Sequence, residues 1–142
     1  MRPLIWLGAF RRASWNRRLL GLEAAAELLR ARILTALPAR IYTRALGDAG
    51  TPATNPVTPQ EVSKAAEIGK LVATIAKGLP IRAVCLQQVI ATRRMLLRRG
   101  LRGTVRLGVR EGLHAHAWLH LGENVVSGDG DLDKFAVIGT FS

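Results

Sequence analysis

The chain has 142 residues and one cysteine, the size of one folding unit with no internal disulfide framework, and 49% hydrophobic against 22% charged residues exclude a disordered chain. Its net charge of +11 is unevenly spread: residues 1–47 hold nine Arg and two Glu, 48–80 balance, 81–110 hold eight Arg and no acid, and 111–142 hold five acids and one Lys. Such a field draws anionic partners, but the acidic end argues against a chain that coats nucleic acid. No aromatic residue interleaves with the arginines between Arg82 and Arg110, as base stacking would require.

Leu4 to Phe10 is a short apolar run followed at once by Arg11, Arg12, Arg17 and Arg18. It lacks a small-residue cleavage site and the length of a membrane span, so neither a signal peptide nor a transmembrane helix is expected. Trp6, Phe10 and Trp15 among those arginines suit a helix packed on the core, or a basic arm on a membrane surface. From Leu19 the spacing Leu22, Ala26, Leu29, Ile33, Leu37 predicts a helix, interrupted by Pro38 and stopped by Gly47. Residues 48–57 hold turn formers without periodicity and read as a loop. Residues 1–50 are therefore expected to form a helical arm packed on a core domain of residues 51–142.

Thr58 opens a second helix with Pro59 at its first position and Glu61 placed to close a capping box; it runs through Ile68, Leu71, Val72 and Ile75 to Gly78. A third helix is expected from about Arg82 to Arg99, ended by Gly100, with Cys85, Val89, Thr92 and Leu96 on its apolar face. The period then changes to two: Val105, Leu107 and Val109 alternate with Arg106, Gly108 and Arg110, and His114 to Leu121 alternates likewise. Gly122-Glu123-Asn124 turns into Val125-Val126. Helices first and antiparallel strands last predict an α+β fold.

Cys85 falls in the first turn of the third helix, where unpaired backbone N–H groups and the positive end of the helix dipole favour a thiolate; Arg82 would push the same way. A thiolate needs an imidazole beside it and a third group to orient that ring. His114, His116 and His120 share one strand face, and the acids that follow are Glu123, Asp129, Asp131 and Asp133. The order Cys, His, Asp is that of papain-like and transglutaminase-like thiol enzymes.

A zinc site is the rival use of the same residues, but His114, His116 and His120 spread over about 20 Å of strand at ~3.3 Å per residue and cannot share one ion. Asp129, Asp131 and Asp133 imitate a calcium loop, yet Lys134 stands where glycine is needed and Thr140 where glutamate is. Neither a metal nor a cofactor is expected. Trp118 is expected to pack beside the histidine. The arginine run at 93, 94, 98, 99 and 102 is either a solvated helix face or a hold on an acidic partner or precursor peptide.

Several stretches recur in a family's order: Cys85-Leu86 opening a helix, Leu96-Leu97-Arg98-Arg99-Gly100 closing it, Leu107-Gly108-Val109, Ala115-His116-Ala117-Trp118, the turn at Gly122, and Val125-Val126-Ser127-Gly128-Asp129. From about Pro80 onward the chain resembles the lasso-peptide B-protein leader peptidases, a branch of the transglutaminase-like cysteine peptidases. That resemblance implies a transglutaminase-like or papain-like core. Cys85 would then be the nucleophile, His116 the general base, and Asp129 the residue that orients it, with Asp131 the alternative; Gly130 stands where the family often has proline. It further implies a stand-alone peptidase half in the cytoplasm. Its partners would be a lasso precursor peptide, a separate leader-binding recognition protein and a lasso cyclase, with no specific nucleic acid. A related thiol acyltransferase or deamidase, or a basic protein binding nucleic acid or acidic lipid, are the other readings.

Overall fold

The computed structural model describes residues 15–112, 114–128 and 130–142. The aromatic arm residues Trp6 and Phe10 lie outside these, as does Asp129. Helix α1 is Trp15–Leu34. Pro38 sits at the N-cap of a short helix, α2 (Ala39–Tyr42), which continues as a 3-10 turn (Thr43–Leu46) and ends where Gly47 takes φ of 110°. After an extended segment come α3 (Pro59–Gly78) and α4 (Cys85–Leu97). The strands β1 (Thr104–Arg110), β2 (His114–Leu121), β3 (Asn124–Ser127) and β4 (Ala136–Phe141) form one antiparallel sheet in the order β3-β2-β1-β4. The fold is α+β, helices first and sheet last.

Local chemistry explains most boundaries. Thr58 Oγ1 accepts from the Glu61 amide while the Glu61 carboxylate accepts from the Thr58 amide, so the capping box that starts α3 is complete. Ile68, Val72 and Ile75 are buried as their spacing requires. Helix α4 begins at Cys85, three residues later than expected, because Leu79 and Val84 hold extended backbone around Pro80. The last strand, β4, goes unread in the sequence: Gly139 breaks its alternation, and Val137 and Ile138 are exposed on the sheet edge. Its far end is covered by a strap in which Asp48 and Ser142 exchange backbone hydrogen bonds and the Gly50 amide donates to Thr140.

The core gathers Leu28, Ile68, Val72, Ile90, Met95, Leu96, Val105, Leu119 and Leu121, all essentially inaccessible to solvent. Burying each such side chain contributes about 1.5–3 kcal/mol. Leu28 belongs to α1, and α1 packs on α4 through a face other than the one its periodicity suggests. The residues turned inward are Gly21, Ala24, Leu28 and Ala31, whereas Leu22, Leu29, Ile33 and Leu37 are exposed. Small residues let the two helices approach, and Glu23 and Glu27 then fasten them. Glu27, 3% exposed, binds Arg94 Nε at 3.2 Å and Arg98 Nη2 at 2.6 Å; Glu23 binds Arg98 and, through both oxygens, Arg99. Much of the arginine run on α4 is thus a clamp on α1.

Candidate active site

Cys85 is the first residue of α4, preceded by Val84 at the N-cap. Valine cannot cap with its side chain, so the helix start is held another way. Gln87 Oε1 accepts from the Val84 amide at 3.0 Å, and Gln87 Nε2 donates to Thr35 Oγ1 just beyond α1 at 2.9 Å. Gln87 is buried, so these bonds fix where α4 begins and hence where the thiol sits. At the first helical position the Cys85 amide has no acceptor within its own helix and points out from the positive end of the dipole. The thiol is half-buried and free.

Cys85 and His116 line one cleft of about 290 Å³, formed where α3, the start of α4, β2 and the end of β3 meet. Gly69, Lys70, Gln88 and Ser127 also line it. Gly69 is what lets α3 lie on β3: a Cβ there would overlap the carbonyl oxygen of Val126. The cation in the cleft is Lys70; Arg82 is exposed and not part of the lining. No hydrogen bond joins Cys85 to His116 among the described residues.

The imidazole of His116 is held on three sides. Its Nε2 lies 2.6 Å from the carbonyl oxygen of Gly128. A carbonyl can only accept, so Nε2 carries the hydrogen and the neutral ring is left with Nδ1 as its basic nitrogen. Trp118 stacks at 6.0 Å between centroids and Phe135 packs at 5.2 Å, with the Arg110 guanidinium over the Phe135 ring at 5.5 Å. Gly108, opposite His116 in the β1–β2 register, makes room for this stack, because a Cβ there would come within 2.9 Å of both Trp118 and Phe135.

The other sequence candidates are dispersed. His114 is exposed at the start of β2, opposite Arg110 where β1 turns into β2, in a concavity with Arg110, Glu111 and Lys134. His120 accepts from Trp118 Nε1 at 2.9 Å, and burial, with Arg106 nearby, holds its pKa below the usual histidine value. Asp131 is exposed and pairs with Lys134. Asp129 lies outside the described residues, directly after the Gly128 carbonyl that holds His116. Gln87 and Phe135 escaped the sequence reading. A glutamine three positions after the cap is a recognisable helix-start signal; nothing local marks Phe135, which arrives from the far end of the chain.

The profile of the transglutaminase-like superfamily matches residues 25–140. The chain belongs to the transglutaminase-like superfamily, which includes cysteine peptidases and acyltransferases. The match starts within α1 and takes in its second half, with Glu27. No curated protein and no solved structure gives a significant match. Among the described residues no helix is long and apolar enough to cross a membrane.

Proposed function

We propose that this protein is a cysteine peptidase that removes the leader from a ribosomally made lasso-peptide precursor, with Cys85 as nucleophile, His116 as general base and Asp129 as the residue that orients it. The observation that carries the reading is the shared cleft: a cysteine at a helix start and a tautomer-fixed histidine open onto one space in a chain of this superfamily. The narrower peptidase assignment draws on the order of motifs from Cys85 to Asp129.

In the proposed reaction His116 Nδ1 takes the thiol proton, and the Cys85 sulfur attacks the carbonyl carbon at the leader–core junction. The resulting oxyanion accepts from the Cys85 amide at the helix start. The C–N bond then breaks, and the imidazolium returns its proton to the departing core amine. His116 next deprotonates water, which attacks the thioester and frees the leader carboxylate, and the thiol is regenerated. A separate leader-binding protein would deliver the precursor, and a cyclase would join the freed amine to a side-chain carboxylate.

The test combines the purified chain, a leader-binding protein and the precursor peptide, read by mass spectrometry. Hydrolysis is expected to yield a free leader carboxylate and an intact core. Cys85→Ala and His116→Ala are each expected to lower the rate by three orders of magnitude or more while keeping the circular dichroism spectrum. Cleavage that survives Cys85→Ala, or an isopeptide or deamidated product, would overturn the assignment.

A further inference from the structure

A second concavity, sharing no lining residue with the Cys85 cleft, lies among α1, the α2 and 3-10 segment, and α4. Its volume is about 270 Å³ and, among the described residues, the charged groups that line it are Arg30, Arg44, Arg93 and Arg94; the remaining walls are aliphatic, among them Leu34 and Ile41. Arg30 and Arg94 share the Glu27 carboxylate. Among the described residues no carboxylate pairs with Arg44 or Arg93, and residues 1–14 contain neither Asp nor Glu. Arg93 donates through Nη1 to the Ala45 carbonyl at 3.0 Å, but its buried Nε has no partner. Burial and the nearby Arg102 both act against its charge, with Asp48 opposing them in part. The pocket therefore holds one guanidinium, Arg93, that the fold partly desolvates without a paired carboxylate, beside the exposed Arg44.

Beside it runs an apolar stripe. Leu22, Ala26, Leu29 and Ile33 follow one another at helical spacing along the outer face of α1, with Leu22 57% and Ile33 68% exposed. At 100° per residue Arg30 falls on the flank of this stripe, so apolar surface and arginine pocket adjoin. We propose that the two together dock an acidic amphipathic segment of a partner protein, its aliphatic side chains on the α1 stripe and a carboxylate in the arginine pocket. Charge complementarity sets the occupant: α1, α2 and α4 belong to the two strongly basic stretches of the chain. The planar guanidinium forks in a bounded pocket match a single carboxylate in bidentate geometry. This inference is independent of what Cys85 does.

Fluorescence anisotropy on the full chain tests it, with a labelled synthetic helical peptide carrying leucine on one face and glutamate on the other. Saturable binding is expected, weakened about tenfold or more by Arg44→Glu and weakened also by Ile33→Ser. Lys77→Glu, an exposed charge reversal on α3, is expected to leave binding within about twofold, and Cys85→Ala to leave it unchanged. A peptide with glutamine in place of glutamate should bind weakly. Equal losses for Arg44→Glu and Lys77→Glu would reduce the site to a general basic field and refute it. So would Arg44-dependent binding to phosphatidylglycerol vesicles without peptide binding, or Arg44-dependent self-association in light scattering.

Discussion

Alanine at position 69 pits two opposite effects against each other. In an ordinary helix interior, Gly→Ala stabilises by about 1 kcal/mol, because glycine has more backbone freedom to lose. Here the added methyl would overlap the Val126 carbonyl oxygen and stand 3.0 Å from its carbon. Both atoms are main chain in β3, between Val125 and Ser127, which pair with β2, so neither can rotate aside as a side chain would. Restoring an ordinary contact of about 3.5 Å requires helix and strand to part by nearly two ångströms, loosening Ile68 and Val72 against the sheet. Overpacking of this kind costs about 1–3 kcal/mol, and a rigid neighbour puts it at the upper end. The net expectation is a loss of about 2 kcal/mol, a Tm lower by about 6 °C for a chain of this size. Urea titration and thermal unfolding of Gly69→Ala measure it directly. An unchanged or raised Tm would refute the close approach of α3 and β3 that forms one wall of the Cys85 cleft.

Gln87→Leu removes the acceptor for the Val84 amide and the donor to Thr35, and is expected to cost about 1–2 kcal/mol in urea titration; it should also slow precursor cleavage. Phe135→Leu keeps the apolar bulk but loosens one side of the His116 ring; roughly a tenfold fall in kcat with KM little changed distinguishes a positioning role from general damage. Stability should also respond to acid in two windows. Arg99, by hydrogen bonding, holds the Glu23 carboxyl below the ordinary value of 4.5, with Arg98 assisting, against an opposing push from burial. A depressed native pKa means stability that is present above the unfolded value and lost as pH falls through the native one. Glu23→Gln is therefore expected to flatten the decline below about pH 4.5 in chemical unfolding. His120 is likewise held below 6.5, chiefly by burial, so the unfolded chain takes up its proton first and stability falls as pH drops below that value. His120→Gln should remove that earlier decline.

The helix-then-sheet order, the α3 capping box and the alternation of β1 and β2 are legible because each rests on neighbours in sequence. The inward face of α1 is not. Hydropathy weights leucine and isoleucine, whereas contact with α4 depends on Gly21, Ala24 and Ala31 giving way and on Glu23 and Glu27 reaching arginines some 70 residues downstream. The site divides the same way. Cys85 at a helix start and His116 on a strand follow from local pattern. That Gly128 supplies a carbonyl to the ring, and that Phe135 backs it, depends on how the sheet closes after the β2–β3 turn. No spacing rule carries that information. Lys70 in place of Arg82 as the cleft's cation is a further tertiary outcome, set by the helix that happens to cross there.

The oxygen that steadies His116 comes from a peptide group, and that has an evolutionary and engineering corollary. Side-chain replacement cannot delete it, since every amino acid brings the same atom. At position 128 the left-handed φ of 78° and the absence of space for a methyl against Ala117 keep glycine in place and so preserve the route of the chain. The protonation pattern of the imidazole is thus written into the path of the backbone. It can be altered by rerouting that bend.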